Sequence, residues 1–131
     1  GPAADRSAAP RRAPWFLVRR VYEKGSLHHT EGGFAFRVRN PAMPVLLERV
    51  EALKVDGETV PAAAAEIVCG GQRRRGSTIS ARSPLEVPSG ETLSIVVHRE
   101  SRLEPGSHVI DFTVELAAFG RVTATIRDRL I

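Results

Sequence analysis

The stretch HVIDFTVEL, residues 108–116, decides the fold class because its apolar and polar residues alternate strictly. Ile110, Phe112 and Val114 fall on one face of an extended chain, and the polar residues at 111, 113 and 115 fall on the other. The stretch GRVTATIRD, residues 120–128, repeats the alternation after a short connection. A period of two is the signal of a half-buried strand, so the two stretches predict a terminal antiparallel β-hairpin.

The same alternation recurs upstream, with turn signals between the segments. Asp56-Gly57 is the favoured two-residue hairpin turn, since both central positions of a type I′ turn need a positive φ. About ten strands are predicted, at residues 15–21, 26–29, 34–39, 51–55, 58–60, 67–69, 77–80, 92–98, 108–116 and 120–128. The predicted fold is an all-β, immunoglobulin-like antiparallel β-sandwich of about 8–10 short strands, with a small barrel as the alternative.

Residues 43–50 fit two local structures. Leu46, Leu47 and Val50 would share one side of a short helical turn, and the same residues also fit a strand. The sequence does not decide between the helical turn and the strand for this segment.

The positive charge of the chain is concentrated at its N-terminus. The net charge is +4, and residues 1–25 alone carry six basic and two acidic groups, whereas the other 106 residues carry 13 of each. A nucleic-acid-binding domain needs a clustered basic face, so no nucleic-acid partner is predicted. We predict a flexible basic arm rich in Pro, Ala and Arg at residues 1–14 and a single β-sandwich domain at residues 15–131.

Two further features of the composition concern location. The sequence has no run of about 18 apolar residues, so no membrane partner is predicted. Its one cysteine, Cys69, cannot form an internal disulfide, which favours a reducing compartment. The predicted location is the cytoplasm.

The sequence offers no set of residues for catalysis or metal binding. Cys69 has no neighbouring histidine that would activate a thiolate, so it is predicted to be a small buried hydrophobe. His28 and His29 would point to opposite faces of a strand and could not both bind one metal from there. We therefore predict no catalytic residue, no metal ligand and no cofactor in this chain, and no enzymatic activity of the chain alone.

Two segments are predicted to contact a partner protein. Trp15 and Phe16 follow the arm directly, and alternation leaves at least one of them facing away from the core, with Arg19 close behind. Aromatic residues and arginine are enriched at interface hot spots. The loop containing Pro41 and Met43 is the second candidate. The partner-binding residues are thus predicted to be Trp15, Phe16, Arg19, Pro41 and Met43.

Residues 25–41, GSLHHTEGGFAFRVRNP, and residues 50–61, VEALKVDGETVP, carry a resemblance to a known family. These segments resemble the small β-sandwich subunit of bacterial C-glycoside deglycosidases and related uncharacterised proteins. The resemblance implies a non-catalytic subunit of a two-subunit lyase. In that family a larger subunit holds a divalent metal and cleaves the carbon–carbon bond of a 3-keto C-glycoside.

The sequence also departs from that family. Residues 41–44, PAMP, lack the expected aromatics, and a basic arm precedes the domain. A free-standing carbohydrate-binding module and a self-assembling structural module are the alternatives. The former needs exposed aromatic residues, and the chain has one Trp, one Tyr and five Phe. The predicted partner is therefore a larger catalytic subunit or a second copy of the chain.

Overall fold

The computed structural model describes residues 11–12 and 20–131, which form two β-sheets around a shared apolar core. The first sheet contains β1 (Arg11–Arg12), β4 (Val45–Val55), β5 (Glu58–Val60), β8 (Leu85–Val87), β10 (Gly106–Leu116) and β11 (Gly120–Leu130). The second contains β2 (His28–Thr30), β3 (Gly33–Arg39), β6 (Ala65–Cys69), β7 (Gln72–Arg75) and β9 (Thr92–His98). Two short 3₁₀ helices, η1 (Ala62–Ala64) and η2 (Gly76–Thr78), lie in the connections.

The order of the strands is that of an immunoglobulin-like sandwich. The first sheet has the order β1-β11-β10-β4-β5, with β8 also paired to β4, and the second has the order β2-β3-β9-β6-β7. The row β11-β10-β4-β5 corresponds to strands G, F, C and C′ of an immunoglobulin domain, and β2-β3-β9-β6 corresponds to A, B, E and D. The predicted all-β sandwich is confirmed.

Both predicted hairpins are present. Leu116 of β10 faces Gly120 of β11 across the terminal hairpin. At the end of β4, Asp56 and Gly57 have φ values of 51° and 84°, as a type I′ turn requires. Local turn chemistry therefore accounts for the register of the β4–β5 hairpin.

An aromatic cluster fills the space between the sheets. Phe36 of β3 is fully buried and meets Phe112 of β10 edge to face, with ring centroids 6.2 Å apart. Tyr22, which precedes β2, also packs against Phe36, with ring centroids 6.3 Å apart. Such tilted pairs stabilise a core beyond simple burial of area.

The helical alternative for residues 43–50 is wrong, since residues 45–50 belong to the 11-residue strand β4 and no helix precedes them there. Its buried residues Leu47, Val50 and Leu53 are three apart because two bulges interrupt its pairing with β10. Glu48 and Glu51 are the extra residues of these bulges. Each bulge shifts the in-out alternation by one residue, which produces a spacing that resembles a helix.

The predicted strand at residues 77–80 is also wrong. The chain forms η2 there, and the strand lies just before it, in β7. Gly76 allows close packing there: a Cβ at this position would lie 2.7 Å from the carbonyl oxygen of Ala62, so η1 and η2 approach each other through a glycine. Neither these helices nor any other helix in the described residues is long and apolar enough to cross a membrane.

The predicted arm, residues 1–14, lies mostly outside the described residues. Its residues Arg11 and Arg12 form β1, which pairs in parallel with Val122 and Thr123 of β11. The division of the chain into arm and domain stays a prediction.

Candidate functional site

One end of the sandwich contains an apolar cavity between the sheets. We call it the apolar end; it consists of the β3–β4 connection (40–44), the β8–β9 connection (88–91), the β10–β11 connection (117–119) and the cavity between them. The cavity has a volume of about 230 Å³, and Arg39 and Asn40 are the only polar residues among the fourteen that line it. Val45, Val114 and Leu116 are lining residues that stay half-buried, so apolar surface faces an open space.

Asn40 holds the β3–β4 connection in place at the mouth of the cavity. Its side-chain amide donates to the carbonyl oxygens of Met43 at 2.8 Å and Val87 at 3.1 Å. Its side-chain oxygen accepts a hydrogen bond from the N–H of Ala42 at 3.1 Å, an Asx turn. One side chain thereby fixes the loop against the end of β8.

Three exposed apolar side chains belong to the same end. Met43 is 63% exposed, Phe119 49% and Leu46 40%. The N–H of Ala117 donates to the carbonyl oxygen of Leu46 at 3.0 Å, so the start of β4 lies beside the hairpin turn that carries Phe119. Exposed apolar side chains next to an apolar cavity are typical of a protein interaction site.

The structure places two of the five predicted partner-binding residues at the apolar end. Pro41 lines the cavity and Met43 is exposed beside it. Trp15, Phe16 and Arg19 lie outside the described residues, and their role stays a prediction.

Sequence reasoning missed three residues of this end: Leu46, Phe119 and Arg39. A phenylalanine in the short connection between two strands was the one available signal for Phe119, because such turns usually carry polar residues. The sequence put Leu46 on one side with Leu47 and Val50, whereas in β4 Leu46 is exposed and the other two are buried.

The opposite end of the sandwich is polar, and His108 lies at its centre. Nδ1 of His108 is 2.6 Å from Oδ2 of Asp56, and Nε2 is 2.6 Å from the carbonyl oxygen of Glu104. Both partners are acceptors, so an imidazolium with two N–H groups fills both bonds. Burial lowers the pKa of His108, but the hydrogen bonds to Asp56 and Glu104 outweigh it, and the pKa is raised.

Asp56 is the matching group of this pair. The N–H of Val109 donates to its other oxygen at 2.9 Å. This bond and the one from His108 hold the pKa of the Asp56 carboxyl below its usual range. A charge-assisted contact therefore ties the start of β10 to the β4–β5 turn.

We expect His108→Gln to lower the free energy of unfolding by about 2 kcal/mol at mildly acidic pH, because glutamine cannot fill both bonds of the imidazolium. Since the pKa of His108 is raised on folding, its contribution is full below about pH 6.5 and falls as the pH rises through the folded-state value. Urea denaturation of wild type and variant across this range measures the difference. His98→Gln, a change at a half-exposed histidine, is the control. An equal loss at every pH would contradict the charged form of His108.

Of the other three histidines, two have partners of their own, and one has a buried ring nitrogen without a partner among the described residues. His28 donates from Nδ1 to the carbonyl oxygen of Ser26 at 2.6 Å, and Nε2 of His98 lies 3.7 Å from Oε1 of Glu66. Nδ1 of His29 is buried without a partner, and burial together with the positive charges of Arg102 and His108 lowers the pKa of His29. Within residues 20–131, no group of three or more His, Cys, Asp or Glu side chains is arranged to hold a metal ion.

Cys69 is a free, buried thiol at the end of β6, as predicted. Burial and the nearby Glu91 carboxylate raise its pKa. A raised pKa disfavours the thiolate, the form that acts as a nucleophile. The prediction that this chain alone is not an enzyme stays a prediction.

Comparison with known proteins identifies the family. Residues 17–131 match the family model described as hydroxymethylglutaryl-CoA reductase, N-terminal domain. The chain belongs to this family. The match covers every strand except β1, together with the apolar end and the polar end around His108. No curated protein matches the chain.

Membership in this family corrects the sequence-based assignment. The resemblance to the small subunit of C-glycoside deglycosidases is wrong, and so is the predicted role in a C-glycoside lyase. Residues 25–41 and 50–61, which carried the resemblance, form β2, β3 and the β4–β5 hairpin. They follow the strand and turn pattern that β-sandwiches of many functions share.

The carbohydrate-binding and self-assembling alternatives receive no support from the family match. The divalent metal in a partner chain rested on the resemblance alone and loses its basis.

Proposed function

We propose that this chain is a non-catalytic docking domain of a hydroxymethylglutaryl-CoA reductase, and that its apolar end contacts the catalytic part of that enzyme. The family description, an N-terminal domain of this reductase, supports the choice of partner. The observation that carries the proposal is the apolar cavity with Met43, Leu46 and Phe119 exposed around it.

The shape and chemistry of the apolar end suit a protein partner. Asn40 fixes the loop backbone, so the site is largely formed before binding, which lowers the entropic cost of association. Met43 adds a flexible, polarisable side chain that adapts to a partner surface. A cytoplasmic location is part of this proposal, since a lone buried thiol such as Cys69 suits a reducing compartment.

The test mixes the purified chain with the separately purified catalytic part of the reductase from the same source and measures the dissociation constant by isothermal titration calorimetry. We expect a complex, and we expect Phe119→Asp to weaken it at least about tenfold, because a charge would then face an apolar contact. Ile131→Asp is the matched control, since Ile131 is fully exposed at the far end of β11.

Three outcomes would contradict the proposal. The first is that no complex forms. The second is that Ile131→Asp weakens the complex as much as Phe119→Asp. The third is that the chain binds only a second copy of itself through the apolar end, which analytical ultracentrifugation of the chain alone would reveal.

A further inference from the structure

The cavity at the apolar end has room for one bulky side chain. Its volume of about 230 Å³ exceeds the roughly 150 Å³ of an apolar protein cavity that binds benzene. Val114, Leu116 and Val122 line it and are only half-buried, so an apolar group inserted from outside would remove them from water. An aromatic or large aliphatic side chain fits this space.

Arg39 gives the mouth of the cavity a charge preference. Its Nε donates to the carbonyl oxygen of Gly90 at a long 3.3 Å, and within residues 20–131 no carboxylate lies in ion-pair range of its guanidinium. The only other polar lining residue, Asn40, already uses its amide on the loop. An arginine side chain in this state has donors left for a carboxylate, which it binds in a two-pronged geometry.

We propose that the cavity binds one bulky apolar side chain of the reductase's catalytic part, and that a carboxylate next to it in the partner sequence pairs with Arg39. The identity of the partner rests on the function proposed above. The chemistry of the recognised segment, an apolar anchor followed by an acidic residue, rests on the cavity and Arg39.

Two dipeptides test this chemistry on the full chain. Acetyl-Phe-Asp-amide carries the anchor and the carboxylate, and acetyl-Phe-Asn-amide carries the anchor alone. In titrations followed by ¹⁵N NMR, both should shift the amide signals of Val114, Leu116 and Val122. The Asp peptide should bind about threefold more tightly, as expected for an exposed ion pair.

Matched substitutions separate the anchor from the charge. Ala124→Leu places extra atoms in the cavity and should weaken both peptides at least about tenfold, whereas Ala52→Leu, outside the lining, should not. Arg39→Gln should remove the preference for the Asp peptide, and Arg82→Gln, at an exposed arginine outside the lining, should keep it. Thermal denaturation verifies that each variant is folded. If Ala124→Leu does not fold, the Arg39 comparison decides by itself.

Several results would overturn the inference. One is equal binding of the two peptides in the wild type. Another is binding only after Trp15→Ala, which would mean that the chain occupies its own cavity. A third is a normal complex between the reductase part and the Ala124→Leu variant, which leaves the docking function intact. Conversely, if the peptides bind but the reductase part does not, the proposed docking function is wrong. The proposed binding of an apolar side chain and a carboxylate by the cavity and Arg39 would then still hold.

Discussion

Gly33→Ala should lower the free energy of unfolding of the domain by at least about 3 kcal/mol. Gly33 is buried at the start of β3, where it pairs with His98 of β9. A Cβ at this position would lie 1.9 Å from the carbonyl oxygen of Val97. Because the clash is with backbone, β3 and β9 would have to separate, and β9 is the central strand of its sheet.

The adjacent residue provides the control. A Cβ at Gly32 would lie 3.5 Å from Nδ1 of His98, an ordinary van der Waals contact. Gly32→Ala should therefore change the free energy of unfolding by less than about 1 kcal/mol. Urea denaturation followed by circular dichroism compares the two variants. Similar midpoints for both would show that the strands accommodate the methyl group at Gly33.

The sequence predicts the strands well because the alternation of apolar and polar residues within a strand indicates which of its faces is buried. Residues 92–98 alternate and form β9 with those bounds, and the Asp56-Gly57 turn follows from its two residues alone. Such local patterns contain no information about contacts between residues that are far apart in the sequence. The need for glycine at position 33 comes from Val97, 64 positions along the chain, and the bulges of β4 come from its pairing with β10.

For the same reason, only part of the candidate site could be predicted from the sequence. The sequence predicts Pro41 and Met43 as partner-binding residues in the loop 41–44. The cavity is a property of two sheets and three connections, so its volume and the position of Arg39 at its mouth require the folded chain. The family could not be read from residues 25–41 and 50–61, since these segments encode strands and a turn.

Asp128 of β11 should be the most important single polar side chain for stability. Its Oδ2 accepts hydrogen bonds from the hydroxyl of Tyr22 and from the N–H groups of Gly25, at 2.9 Å, and Leu27, at 3.5 Å. Tyr22 also forms a bridge with Val38 of β3, in the other sheet. One carboxylate therefore ties the segment 22–27 to β11 and links the two sheets.

We expect Asp128→Ala to lower the free energy of unfolding by about 3 kcal/mol, because three donors lose their acceptor and the hydroxyl of Tyr22 is partly buried. Asp111→Ala is the control within the same hairpin. Asp111 accepts one side-chain bond, from Thr125 at 2.6 Å, and its loss should amount to about 1 kcal/mol. Equal losses in the two variants would show that the bonds of Asp128 do not act together.

The pH dependence of the Asp128→Ala effect identifies its origin. Burial alone would raise the pKa of Asp128, but the hydrogen bonds from Tyr22 and from the backbone outweigh it and lower the pKa. The stabilisation is therefore complete above about pH 4 and is lost as the pH falls through the folded-state value. Burial and the Asp128 carboxylate raise the pKa of Tyr22, so its hydroxyl remains a donor beyond about pH 10. The difference in the free energy of unfolding between wild type and Asp128→Ala should therefore be constant from about pH 5 to 9 and should decrease only at acidic pH. Thermal denaturation at pH 3 and pH 7 measures this difference. If it is the same at both pH values, the negative charge of Asp128 does not hold the segment 22–27.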